Sequence, residues 1–284
     1  MTDLEIKDRA GAGALGETYV SAFGRGLAVI RCFSSDHPTL TIAEVARMTN
    51  LNRSTARRFL HTLVAEGYLR ATEGRYSLRP SVLEIGLAYL STLSIDDLYR
   101  EQLRELAEEV RESCSAGVLD GTDVVFVARA QTSHPRVMTL ALSVGARIPA
   151  HLTALGRVLL ADLPADELDA YLEQVELRAV TERTVISPDA LREVIRAVGE
   201  EGYCIVDQEI EWGVRAAAVR VRRPGKPQLA ISIAAHASSS TIETFREVYL
   251  PALRRTARDI ERVLQLPSGG SAVGAAGRDH SSPA

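Results

Sequence analysis

Within nine residues the chain sets Arg53, Ser54, Thr55, Arg57, Arg58 and His61. Long cations interleaved with short hydrogen-bonding side chains suit phosphate oxygens and the base edges of a DNA major groove. Further along, Thr153 is followed by Ala154, Leu155 and Gly156, whose side chains would leave a helix start bare. The free N–H groups of such a first turn favour a carboxylate by about 0.3 to 1 kcal/mol. Asp207 at a strand end, the loop through Trp212, and Ser232 on a paired strand would form the opposite wall of a small-ligand pocket. The plainer alternative for the same residues is a capped helix packed into the core.

No catalytic constellation accompanies them. The sequence has no G-x-S-x-G, no phosphate loop and no H-E-x-x-H, and His134, His151 and His236 lack zinc-ligand spacing. A histidine beside a loop, such as His151, reads as a hydrogen-bonded structural residue. Glu209 and Glu211 read as the solvated edge of a loop sooner than as an acid/base pair. The expectation is therefore a binding protein with no catalytic residue, no metal and no cofactor. An enzyme or sensor that uses its N-terminal domain for protein contacts is the alternative from another class.

The elements that position the first group are legible in the apolar spacing. Ile42, Val45, Ala46 and Thr49 fall at i, i+3, i+4 and i+7, and Ala56, Phe59, Leu60, Leu63 and Val64 repeat the pattern. Only Asn50, Leu51 and Asn52 separate the two helices, so they must cross steeply as a helix-turn-helix with Leu51 filling the turn. Gly67 ends the second helix, and Tyr68 to Arg70 and Arg75 to Leu78 read as strands around Thr72-Glu73-Gly74. Helix, turn, helix and hairpin describe a winged helix over residues 19–80, with a supporting helix from Tyr19 to Phe33. Arg75 on the hairpin joins the six helix residues as the expected DNA-contacting set.

Residues 81–95 form an apolar helix expected to serve as linker and dimer contact, because Val82, Leu83, Ile85, Tyr89 and Leu90 cover more than one face. From 96 to 266 the pattern changes to α+β. A helix spans Leu98 to Ser113, and strands from Ser115 and Asp123 meet at Gly121-Thr122. Another strand is expected at Val137 to Leu142, a loop at Val144 to Pro149, and surface helices at Asp166 to Val175 and Ser187 to Glu201. A buried strand ends at Asp207, paired strands run Val214 to Val221 and Leu229 to Ala235, and a helix closes the domain from Thr241 to Leu266. Residues 1–18 and 267–284 are expected to be disordered.

Composition agrees with two soluble domains. The chain has 284 residues, 46% of them hydrophobic, and no run near the roughly 20 apolar residues of a membrane helix. Its first residues lack the apolar stretch of a signal peptide, so a cytoplasmic protein is expected. Three scattered cysteines, Cys32, Cys114 and Cys204, suggest small buried hydrophobes rather than disulfides or a zinc site. Residues 19–80 hold nine Arg and no Lys against four acidic residues, a net +5, whereas the whole chain carries −4. A basic module on an acidic body is the electrostatic footprint of a nucleic-acid binder.

Four motifs in order, beginning at Gly24-Arg-Gly-Leu-Ala, Gly145-Ala-Arg-Ile-Pro-Ala-His-Leu-Thr-Ala-Leu-Gly-Arg157, Gly202-Tyr-Cys-Ile-Val-Asp207 and Gly213-Val-Arg-Ala-Ala-Ala218, resemble the IclR family of bacterial regulators. Pro149 to Arg157 is most similar to its members from the β-ketoadipate (protocatechuate, 4-hydroxybenzoate, catechol) branch. The resemblance implies a winged-helix domain, a linker helix and a GAF-like effector domain with an antiparallel sheet that binds a small organic acid. It also implies a double-stranded operator, and homodimers that often pair into tetramers. Its ligand-contacting positions fall on the backbone of Ala154, Leu155 and Gly156, and on Asp207, Ala216, Ser232 and Ala234. Ala216 and Ala234 stand where other members place Cys and Ser, which suggests a larger or more apolar ligand, such as an aromatic acid or its ring-cleavage product. A regulator of a non-aromatic carbon source is the alternative within the family.

Overall fold

A reciprocal cap starts the winged helix: Glu44 N–H donates to Thr41 Oγ1 at 3.3 Å, and Thr41 N–H donates to the Glu44 carboxylate at 2.7 Å. The computed structural model describes residues 19–93, 97–132, 142–223, 225 and 227–265. The expected disordered ends lie outside them. By internal contacts the chain divides into two compact units, 1–89 and 90–284.

In the first unit α1 (Ser21–Arg31), α2 (Ile42–Met48) and α3 (Arg53–Ala65) share a core of Val29, Val45, Ala56, Leu60 and Leu69. Asn50 takes a left-handed φ of 53° in the turn, and Leu51 packs on that core as expected. The wing strands β2 (Leu69–Thr72) and β3 (Arg75–Leu78) meet at Glu73 and Gly74, both with positive φ (52° and 78°), as a two-residue hairpin turn requires. The wing also gains a strand that periodicity could not reveal. Two residues, β1 (Leu40–Thr41), pair with β3. α4 (Val82–Thr92) follows; Leu83, Ile85, Leu87 and Tyr89 are exposed on it.

The second unit is a six-stranded antiparallel sheet between two helical layers. α5 (Asp97–Val110) is followed by β4 (Ser113–Asp120), β5 (Asp123–Ala130) and β6 (Arg147–Pro149). Then come a 3₁₀ turn (Ala150–Leu152), α6 (Ala154–Leu160), α7 (Ala165–Gln174), α8 (Pro188–Glu201) and β7 (Tyr203–Asp207). β8 (Val214–Val221) and β9 (Leu229–His236) precede α9 (Ile242–Thr244), which passes through a π-helical turn (Phe245–Tyr249) into α10 (Leu250–Gln265). Strand order is β6-β5-β4-β9-β8-β7. One face packs on α5 and α10 through Leu103, Leu106, Ile231, Ile233 and Leu253; the other packs on α6, α7 and α8 through Leu155, Leu159, Tyr171, Leu191 and Ile195. All three cysteines are buried and free, as expected. No helix among the described residues is long and apolar enough to cross a membrane.

Several boundaries differ from the sequence expectation. The helix expected to reach Ser113 stops at Val110, because Arg111 turns left-handed (φ 57°) and releases the chain into β4. The stretch expected as a loop at 144–149 contains β6, which pairs with β5 at the sheet edge, where Pro149 costs no ladder bond. β7 is likewise an edge strand, with only Cys204 and Val206 buried. The strand expected at 137–142 lies, apart from Leu142, outside the described residues. In the last helix the π turn carries Tyr249, whose hydroxyl lies 2.9 Å from Ser240 Oγ and donates to Glu112 at 3.4 Å.

His151 is a buried residue, 2% exposed, whose backbone N–H donates to the Tyr171 hydroxyl at 3.1 Å, but its imidazole lacks the hydrogen bond expected of it. Neither ring nitrogen has a partner among the described residues. Burial, reinforced by the nearby Arg157 cation, pushes its pKa down to about 4. The unfolded chain titrates near 6.5, so it binds the proton more readily. The stabilisation is complete above about pH 6.5 and is lost as pH falls towards about 4. Urea denaturation of wild type should therefore show a loss of up to about 3 kcal/mol across that window, and His151→Leu should flatten it. Parallel pH profiles for the two proteins would refute the assignment.

Candidate functional site

The second helix of the helix-turn-helix carries the residues expected to meet DNA. α3 buries Ala56 and Leu60 and leaves Arg53, Ser54, Arg57, Arg58 and His61 exposed, with Thr55 half-buried. Asn52 fixes the start of the helix: its Oδ1 accepts the Thr55 N–H and the Ser54 hydroxyl, both at 2.8 Å. Ser54 is therefore left with acceptor capacity for a base or water. Arg75, expected in the same set, remains exposed on the wing and also has a structural tie. Its guanidinium donates to Thr39 Oγ1 at 3.0 Å and Thr39 O at 3.1 Å, and lies 3.9 Å from Glu44, so it braces β3 against the start of α2. Arg70, exposed on β2 and bonded to Ser77 Oγ at 3.0 Å, is a wing cation absent from the expected set.

The second unit holds a cavity of about 60 Å³ on the sheet face that carries α6. Ala154, Leu155, Ala216, Ser232 and Ala234 of the expected set line it, together with Ser113, Ser115, Phe126, Arg129 and Ile210. Strand register explains the arrangement. Ser115 pairs with Ser232 on one side and Arg129 on the other, so the three form a polar row across β9, β4 and β5. The neighbouring row runs Ser113, Ala234, Ala216, where two alanines leave room.

Asp207 and Gly156 do not line this cavity. Asp207 sits one residue past Val206, so the strand alternation turns it to the opposite face. There it accepts Arg215 Nε at 2.8 Å and pairs with Arg183, whose guanidinium stacks 5.7 Å from the centre of the Trp212 ring. Gly156 is a glycine for packing, because a Cβ there would overlap the carbonyl of Ala150. Its N–H is already taken by Thr153 Oγ1 at 2.9 Å. The helix start is thus less bare than the side chains suggest.

Glu209 also differs from expectation: it is buried, not solvated. Arg157 donates to both of its carboxylate oxygens, one bond measuring 2.8 Å, and also to the His151 carbonyl at 2.8 Å. Thr184 Oγ1 donates to the Glu209 carbonyl at 2.7 Å. These bonds hold the loop carrying Ile210 beside the start of α6. Among the described residues no cluster of three or more His, Cys, Asp or Glu could hold a metal.

The residues that sequence missed are chiefly Ser113, Ser115, Phe126 and Arg129. In a regular strand Phe126 and Arg129, three apart, would face opposite ways. A β-bulge prevents this: Ala116 pairs with Ala128 but Gly117 with Phe126, so Val127 is an extra residue in β5. Both side chains then line the same cavity.

A winged helix with an arginine-rich exposed face, followed by an antiparallel-sheet unit with an internal cavity, defines the class of effector-binding transcription regulators. The chain belongs to the IclR family: residues 22–73 match the IclR helix-turn-helix domain, and residues 87–262 match the bacterial transcriptional regulator IclR C-terminal domain. It is 35% identical over 243 residues to the Pca regulon regulatory protein of Pseudomonas putida, covering 85% of this chain and 83% of that one. It is 31% identical over 252 residues to the p-hydroxybenzoate hydroxylase transcriptional activator of Acinetobacter baylyi, covering 87% and 93%. An IclR homologue from Microbacterium hydrocarbonoxydans, solved with 4-hydroxybenzoate, superimposes with a TM-score of 0.76 at 26% identity, covering 87% of this chain and 100% of that one. The chain is a regulator and not an enzyme.

Arg57→Ala or Arg58→Ala should weaken operator binding by about 1 to 3 kcal/mol if the side chain reads a guanine, and should make the salt dependence shallower if it contacts phosphate. Gel shifts at several salt concentrations check this; wild-type affinity in both variants would refute it. Gly156→Ala should destabilise the second unit by about 1 to 3 kcal/mol or more, because the clash is with backbone. A thermal melt matching wild type would count against that packing.

Proposed function

We propose that this regulator controls genes of aromatic-acid catabolism, of the β-ketoadipate type, by binding a small aromatic acid in the cavity beneath α6. The observation that carries the reading is the lining itself. Phe126, Leu142, Ile148, Leu152, Leu155, Val206, Ile210 and Val214 offer apolar surface to a ring, while three serines and Arg129 offer polar groups to an acid. The first-turn N–H groups of Ala154 and Leu155, which an α-helix cannot satisfy internally, add donors at the rim. The relatives named for the Pca regulon and for p-hydroxybenzoate hydroxylase, and the homologue solved with 4-hydroxybenzoate, support the same class of ligand.

In this reading residues 19–80 bind DNA, 81–95 link, and 96–266 bind the effector. The chain works as a homodimer on a two-part operator. The exposed Leu83, Ile85, Leu87 and Tyr89 of α4 support a second copy as partner. The ligand shifts the dimer between arrangements in proportion to its preference for one of them, which changes the spacing of the two recognition helices.

Titration with protocatechuate, 4-hydroxybenzoate, catechol, muconate and β-ketoadipate tests the proposal. At least one should raise the melting temperature of the protein and change its affinity for promoter DNA from its own locus. If all five leave both quantities unchanged, the aromatic-pathway assignment is wrong.

A further inference from the structure

We infer that Arg129 is the residue that binds the ligand's carboxylate, so that the acid group lies on the sheet against the row Arg129, Ser115, Ser232 and the ring extends towards Ala216 and Ala234. The inference rests on the aromatic-acid reading of the cavity and fixes which way round such a ligand sits. Three observations carry it.

Arg129 is the one cationic side chain among the described residues that line the cavity, and none of those residues is acidic. It is half-buried, and its Nη2 lies 3.5 Å from Ser113 Oγ, which places the guanidinium at the cavity wall. The bulge at Val127 puts it in register with Ser115, which pairs in turn with Ser232. A carboxylate meeting this row would find a planar cation and flanking hydroxyls, the donor set that suits its two oxygens.

The competing anchor is the start of α6. Its third N–H is already used by Thr153 Oγ1, and its first turn offers partial charge where Arg129 offers a full one. Burial lowers the pKa of Arg129 from its ordinary value, which is far above neutrality, so the side chain stays charged. On its other side Arg129 borders a surface cleft with Arg100, Arg104 and Glu108. Glu108 is the one acidic group lining that cleft, and two further arginines line it as well. On β9 and β8, Ala234 and Ala216, cross-strand partners that also line the cavity, leave space for a ring and its substituent.

The test compares 4-hydroxybenzoate with its uncharged isostere 4-hydroxybenzamide by calorimetric titration of the full chain. Wild type should prefer the acid by at least about tenfold. Arg129→Gln should weaken the acid by about tenfold or more and leave the amide almost unchanged, so that the preference collapses. Arg129→Lys, which keeps the charge and loses the fork, should show an intermediate preference and serves as the test if the Gln variant fails to fold. An unaltered preference in the variants overturns the inference and points to the start of α6. Equal weakening of acid and amide also overturns it, since that is what a purely structural role would give. If wild type binds neither compound nor any other aromatic acid, the reading of the cavity falls and this assignment with it; if wild type binds and the variants match it, only the assignment falls.

Discussion

The effector unit is organised around one buried ion pair. Arg157 and Glu209 come from segments 52 residues apart and meet with side chains 3% and 11% exposed, bonded through both carboxylate oxygens. Taking two such charges out of water is costly unless geometry is good and the remaining polar groups are satisfied. Here they are: Arg157 also reaches the His151 carbonyl, and Glu209 also accepts the Val185 N–H at 3.3 Å. Removing either partner would strand the other, so the pair locks three otherwise separate segments into one wall. The cavity exists because that wall stands off from a stretch of sheet where the side chains are small.

That division explains what the sequence disclosed. The helix-turn-helix was legible because its determinants are local: helical periodicity, a Thr41 and Glu44 cap, an Asn52 cap and a three-residue turn. The bond from Arg75 to Thr39, 36 residues away, left no such local trace, because it crosses a strand pairing that two residues could not announce. In the effector unit the alternation of strands was visible, and with it Ser232, whereas Ala216 and Ala234 entered only through the family resemblance. Parity, however, is unforgiving. Asp207 lies one residue from Val206 and ends on the wrong face, while a single extra residue in β5 rescues Arg129 onto the right one. Bulges and long-range ion pairs leave no periodic trace.

The two units use opposite strategies with charge. On α3 the arginines stand in water on the outside of an apolar core, where they are cheap to place and free to meet a polyanion. In the effector unit arginines are drawn inward, to Glu209, to Asp207, and beside the cavity, where each needs a defined counterpart. The first arrangement suits long-range attraction and sliding. The second suits discrimination between small molecules.

The wide turn at Phe245–Tyr249 has a consequence for how relatives compare with this chain. Such a turn is an ordinary helix with one surplus residue, and both flanks keep the phase they would have without it. Lineages that gain or lose a single amino acid here would therefore preserve the oily side formed by Leu253, Ala257 and Ile260 and the arginines outside it. What would vanish is the reach of the Tyr249 hydroxyl to Ser240 and Glu112, so a length difference at this point marks a rewired polar contact and not a shifted element.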